Sequence, residues 1–143
     1  VIESRPENLQ PLRDKIRNFL EGTKLADKDR QEMLVAVGEG CTNAIRHAYD
    51  GEAGHPIRVT VQDQRGKVVV RIRDYGRKID LGSVKLPELP PRRPGGLGIY
   101  FMTTMMDQLE YNTRWAKGNE LILVKCKGPA PKGGPHEVRR EEK

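Results

Sequence analysis

Long apolar runs are missing from this chain of 143 residues. None approaches the ~18 residues that a membrane-spanning helix requires, so such a helix is excluded. Cysteine is scarce too. Cys41 and Cys126 cannot build a disulfide framework and do not have metal-ligand spacing. Cys41 lies within an apolar helical pattern and reads as a small buried hydrophobe. Aromatic residues make up only 5% of the chain, which supplies few platforms for stacking nucleic-acid bases. Collagen-like and heptad repeats are absent. Free thiols and the lack of a recognisable export segment lead to the expectation of a reducing, cytoplasmic setting.

Charge, by contrast, is plentiful. Asp, Glu, Lys and Arg form 32% of the chain, above the usual ~25%. The formal net charge is +6 with a pI near 9.5, which favours an anionic partner: nucleic acid, nucleotide or acidic protein. From Pro129 onward, Lys132, Arg139, Arg140 and Lys143 nearly balance Glu137, Glu141 and Glu142, so the surplus belongs to the rest. The length suits one domain with its own core.

Periodicity divides that domain into elements. Val1 to Ser4 could end a strand. Ser4-Arg5-Pro6-Glu7 has capping-box form and precedes Leu9, Leu12, Ile16, Phe19 and Leu20 at helical spacing. Gly22 and Thr23 stop that helix. A second runs from near Asp27 to about Ala48, with an apolar stripe through Met33, Leu34, Val37, Cys41, Ala44, Ile45 and Ala48. Glu39, Asn43 and His47 lie on its other side. Alternation in Ile57, Val59, Val61 and again in Val68, Val70, Ile72 predicts a hairpin with its loop at Gln62 to Gly66. The stretch from Leu81 to Gly98 is aperiodic, rich in Pro and Gly, and too long for an ordinary connection. Ile99 to Met106 resumes helical spacing. Leu109 to Asn112 and Leu121 to Lys127 form a second hairpin. The predicted organisation is a domain over 1–128 and a disordered tail over 129–143. The predicted fold class is α+β, a two-layer sandwich with helices on one face of a mixed, mostly antiparallel sheet.

Four features can carry chemistry. Glu39 and Asn43, four apart, share a helix face. A carboxylate there can accept a hydroxyl proton, and an amide oxygen can ligate Mg²⁺ beside phosphates. Two ordinary solvated polar residues would look the same. His47, a turn further on, could support that site or simply cap the helix. Asp74 ends an apolar strand and begins Asp74-Tyr75-Gly76; its carboxylate could accept the amino group of adenine and reject the carbonyl of guanine. A plain Asp-x-Gly turn is the competing reading. Gly95-Gly96-Leu97-Gly98 precedes a helix, where backbone N–H groups can approach phosphate. Arg92 and Arg93 could reach a terminal phosphate or be solvated.

The order of these features is more specific than any one of them. Glu39-Gly-Cys-Thr-Asn43-Ala-Ile-Arg-His47-Ala-Tyr49 resembles the N box of the GHKL ATPases, the gyrase and histidine-kinase superfamily. Asp74-Tyr-Gly76-Arg-Lys-Ile79-Asp80 and Gly95-Gly96-Leu97-Gly98-Ile-Tyr-Phe-Met resemble its two glycine boxes, and Gly118-Asn119-Glu-Leu its final Gly-Thr segment. Within the superfamily the chain is most similar to bacterial anti-sigma serine kinases. Two positions depart from the pattern: Lys78, where a third glycine is common, and Asn119, where Thr is usual.

The resemblance implies ATP and Mg²⁺ as cofactors. It makes Glu39 the general base toward an acceptor serine and Asn43 the Mg²⁺ ligand. Asp74 and Gly76 would position adenine, with His47, Ile79 and Asn119 also at the nucleotide. Leu81 to Gly98 would form a mobile lid, with Gly96 and Gly98 giving backbone N–H groups to the phosphates and Arg92, Arg93, Gly95 and Leu97 also at the nucleotide. The implied partners are an anti-anti-sigma (STAS-type) protein as substrate and a sigma factor or other switch target; a homodimer is also allowed. A non-catalytic, nucleotide-dependent binding switch is the alternative. On this view the basic charge serves ATP phosphates and an acidic protein, and nucleic acid and membrane are not expected partners.

Overall fold

Two alternating strand pairs define the layout of this computed structural model, which describes residues 1–79, 102–112, 114–128 and 139–141. β2 (Pro56–Gln64) and β3 (Lys67–Asp74) form the expected first hairpin, and β4 (Gln108–Asn112) and β5 (Asn119–Cys126) the second. The first turn is tighter than expected, because β2 continues to Gln64 and only Arg65 and Gly66 remain between the strands. The short β1 (Ile2–Glu3) joins the β2 edge. β6 (Arg139–Glu141) runs parallel to β4, pairing Glu110 with Arg139 and Asn112 with Glu141. These three residues therefore depart from the tail expected to be disordered, and they cover what would otherwise be the open edge of β4. The six strands run β1-β2-β3-β5-β4-β6. All contacts but β4–β6 are antiparallel. This is the expected mixed, mostly antiparallel sheet of an α+β two-layer sandwich.

α1 (Leu9–Glu21) and α2 (Asp27–Asn43) supply the helical layer. Side chains alternate across a strand, so Val68, Val70 and Ile72 of β3 and Leu121 and Leu123 of β5 share one face. They join Ile16, Leu20, Met33, Leu34, Val37, Cys41 and Ile45 in one buried cluster. Val69, Ile122 and Val124 form a small cluster on the opposite face. Gly40 sets how closely α2 lies: a Cβ there would come within 2.7 Å of Ile72 Cδ1 and 2.9 Å of Leu121 Cδ2. The helix rests on the sheet through its missing side chain.

Local details differ from expectation in three places. Ser4 does not cap a helix. Its hydroxyl donates to the Glu52 carbonyl at 2.7 Å and accepts from the His55 N–H at 2.9 Å, while Pro6–Asn8 makes a 3₁₀ turn before α1. Phe19 is 45% exposed although its spacing suited the core, because the adjacent Leu20 takes the inward position. Finally, α2 does not run as one α-helix to Ala48: Ala44–Ala48 form a π-turn. Residues 102–105 are helical, within the expected helix, and Met102 and Met106 are buried. Among the described residues no helix is long and apolar enough to cross a membrane.

Candidate functional site

The site begins where α2 changes its winding. Glu39 and Asn43 are both half-buried on the last turns of α2, and Cys41 between them is fully buried. Burial pushes the Cys41 thiol up to about 12, consistent with an inert packing residue. Glu39 makes no hydrogen bond or ion pair among the described residues, so its carboxylate keeps its acceptor capacity. In the π-turn the Tyr49 N–H reaches the Ala44 carbonyl at 3.1 Å, and Gly51 N–H reaches Ile45 at 2.7 Å. Such single wide turns concentrate at functional sites.

That turn receives the end of β3. Arg77 N–H donates to the Ala48 carbonyl at 2.7 Å. Gly76 packs against the same carbonyl so closely that a Cβ would lie 2.2 Å from it. The Tyr49 hydroxyl donates to the Pro56 carbonyl at 2.6 Å and accepts from the Tyr75 N–H at 2.7 Å. One phenol therefore fastens the end of the helix region to β2 and to the Asp74 loop. His47 is exposed, and its backbone carbonyl, rather than its ring, takes the contacts, accepting from Arg77 at 3.2 and 3.3 Å.

Asp74 sits at the centre, 3% exposed and facing the helical layer. Its Oδ1 accepts from Gly76 N at 3.1 Å, Asn119 N at 3.2 Å and Asn119 Nδ2 at 3.0 Å; among the described residues Oδ2 receives only Asn119 Nδ2 at 3.3 Å. Burial raises the Asp74 carboxyl above its ordinary value, against these hydrogen bonds and the nearby Arg73 charge. Asn119 also donates to the Arg77 carbonyl at 2.9 Å and accepts from the Ile79 N–H at 2.8 Å. It thus joins β5 to the whole 74–79 loop, and Ile79 packs against the main core. Where Thr is usual, the longer amide still reaches the carboxylate.

The structure thus joins Asp74, Gly76, Ile79 and Asn119 at one end of the sandwich, with Asn43 linked to them through Tyr111 and Glu39 four residues before it on α2. Leu81 to Gly98, and with it Arg92, Arg93, Gly95, Gly96, Leu97 and Gly98, lies outside the described residues. Sequence reasoning missed Tyr49 and Tyr111. Tyr49 appeared only as the last letter of a motif, although an aromatic ending a polar-faced helix was a usable signal. Tyr111 is 3% exposed on β4; burial raises its hydroxyl's pKa, with the Asp74 charge adding and a hydrogen bond with Asn43 opposing. It therefore lies beneath the Asn43 side of the site.

A family model described as histidine kinase-like ATPase domain matches residues 2–125. The chain is similar to Serine-protein kinase RsbW of Bacillus pumilus, with 30% identity over 76% of this chain and 74% of the relative. The Bacillus licheniformis protein of the same name is 32% identical over 74% and 71%, and that of Listeria innocua 33% over 66% and 64%. Among solved structures, the histidine kinase domain of a blue-light activated histidine kinase from Erythrobacter litoralis EL346 superposes with a TM-score of 0.53. It shares 18% identity and matches 85% of this chain and 60% of its own, a likeness of fold alone.

Proposed function

The chain belongs to the histidine kinase-like ATPase domain family, and from that premise we propose that it is an ATP-dependent serine-protein kinase of a bacterial partner-switching system, acting in the cytoplasm. The observation that carries this reading is the buried Asp74 carboxylate, donor-rich on Oδ1 and, among the described residues, sparsely bonded on Oδ2, with Tyr111 between it and Asn43. The free capacity of Oδ2 suits the amino group of adenine. Guanine would present a carbonyl oxygen there, and two acceptors repel.

Phosphoryl transfer asks mainly for positioning and charge neutralisation. The serine Oγ of the partner attacks the γ-phosphorus, the bond to the ADP oxygen breaks, and the hydroxyl proton passes to Glu39. The Asn43 amide fits Mg²⁺, an ion that takes few protein ligands and keeps water and phosphate oxygens. Among the described residues no cluster of three or more His, Cys, Asp or Glu competes for that part. When bound, Mg²⁺ supplies neutralisation of phosphate charge. The substrate is an anti-anti-sigma protein of STAS type, and in its other state the chain holds a sigma factor or another switch target.

Glu39→Ala is expected to reduce transfer from ATP to the partner by ~10²-fold or more, the size of a general-base contribution. ATP affinity should stay near that of the parent. Labelling of the partner at the parental rate would remove Glu39 as base. Transfer absent from the parent chain as well, with ATP bound, would leave a nucleotide-dependent binding switch.

A further inference from the structure

Asp74 faces the helices, so Arg73 projects from the opposite face of the sheet. It is 8% exposed and has no carboxylate within ion-pair distance among the described residues. Its guanidinium instead lies between two aromatic rings, 4.3 Å from the Tyr75 centroid and 4.3 Å from that of Trp115. Its fork donates to three backbone carbonyls: Asp74, Asn119 at 3.3 Å and Lys117 at 2.9 Å. Two of these belong to the residues whose side chains meet in the nucleotide site. Gly118, at φ +79°, lies so close beneath that a Cβ would stand 2.1 Å from the Asp74 carbonyl oxygen and 2.7 Å from the guanidinium.

Resting on the nucleotide-binding reading, we propose that Arg73, clasped between Tyr75 and Trp115, is a positioning residue for base recognition. It pins the 115–119 turn to the end of β3 from behind the sheet and so holds Asp74 and Asn119 at the separation that leaves Oδ2 facing the base. The geometry requires arginine in particular. Only a planar guanidinium can both stack on two rings and fork to carbonyls on two strands. A lysine keeps the charge and loses the stack and the fork.

Arg73, Tyr75 and Trp115 are not among the residues assigned to the phosphates, which separates the effect of the clasp from general loss of binding. GTP, held through its phosphates and gaining nothing from Asp74, depends little on the clasp. The test is titration of the whole chain with Mg²⁺-ATP and Mg²⁺-GTP, for the parent and for Arg73→Gln, Arg73→Lys and Trp115→Leu, with melting temperatures measured alongside. Arg73→Gln should weaken ATP about tenfold, the equivalent of one lost charged hydrogen-bonding group, and GTP by less than about twofold. Arg73→Lys should fall between it and the parent. Trp115→Leu should weaken ATP about threefold, the size of one exposed cation–π contact. A folded Arg73→Gln chain with parental ATP affinity overturns the proposal, as does an equal loss for ATP and GTP. Should Arg73→Gln not fold, parental ATP-over-GTP preference in both Arg73→Lys and Trp115→Leu overturns it. A parent chain that binds neither nucleotide overturns the nucleotide reading itself, and the proposal with it.

Discussion

The β3–β5 ladder ends in two very different ways. At one end Lys67 pairs with Cys126, next to the Arg65-Gly66 turn; at the other Asp74 pairs with Asn119, next to Gly118. Gly66 and Gly118 have nearly the same backbone, φ +81° and +79°. Around Gly66 nothing lies within 4 Å of a would-be Cβ, whereas Gly118 is wedged against Asp74 and Tyr75. The Lys67 end is closed by surface contacts, an ion pair between Lys127 Nζ and Asp63 Oδ1 at 2.5 Å and the Cys126 N–H on Asp107 at 2.6 Å. The Asp74 end is closed by buried polar groups, with Asp74 and Asn119 at 3% and 2% exposure. Identical ladder chemistry thus makes an ordinary hairpin turn at one end and a polar site at the other. The difference lies in which side chains are desolvated.

The largest effect expected from that contrast is at the glycines. Gly118→Ala combines a left-handed φ with a backbone clash and should cost more than ~3 kcal/mol, unfolding the chain or displacing the site. Gly66→Ala meets only the φ penalty, ~1–2 kcal/mol, and should leave nucleotide binding intact. Thermal or denaturant unfolding of the two variants checks the ranking; equal costs would break the comparison.

Next in size is Asn119→Ala. It removes the donor to Asp74 Oδ1 and Oδ2 and the links to Arg77 and Ile79, leaving a buried carboxylate under-bonded. A loss of ~2–3 kcal/mol is expected in urea unfolding. Asn119→Thr, which retains one polar reach, should lose less.

The pH response of Asp74 follows from its burial. Its carboxyl is raised in the folded state, so the folded chain holds its proton to higher pH than the unfolded chain. The contribution of this group is therefore neutral below the unfolded value of 3.8 and becomes destabilising as pH rises from there through the folded midpoint. An NMR titration of the Asp74 carboxyl should give a midpoint above 3.8, and Asp74→Asn should remove that limb from the stability profile. The smallest effect belongs to the Lys67 end: Asp63→Asn should change stability by less than ~1 kcal/mol, as partly exposed pairs do.

Much of this was legible in the residues themselves. The first hairpin followed from alternation in Ile57, Val59, Val61 and in Val68, Val70, Ile72, because a strand has period two. The shared face of Glu39 and Asn43 followed from helical spacing. The π-turn at Ala44–Ala48 was not legible, since helical periodicity and one extra residue per turn differ too little over five residues. Neither was the detour of Ser4: its hydroxyl suits a helix cap, and only the Glu52–His55 turn arriving from 48 to 51 residues away captures it. Arg73 and Trp115 carried no sequence signal for a shared stack, being 42 positions apart with no motif between them.

The sequence alone determined which residues could do chemistry and in what order they come, because motif spacing and side-chain type are local properties. The basic surplus, too, was countable from composition. Only the tertiary structure decided that β5, rather than β4, lies beside β3, and in a register that sets Asn119 opposite Asp74. A slip of β5 by one residue would have sent the Asn119 side chain to the other face, away from Asp74. Burial of one continuous apolar surface from two strands and two helices selects that register. The polar pair at its end is then held together by packing that neither residue encodes.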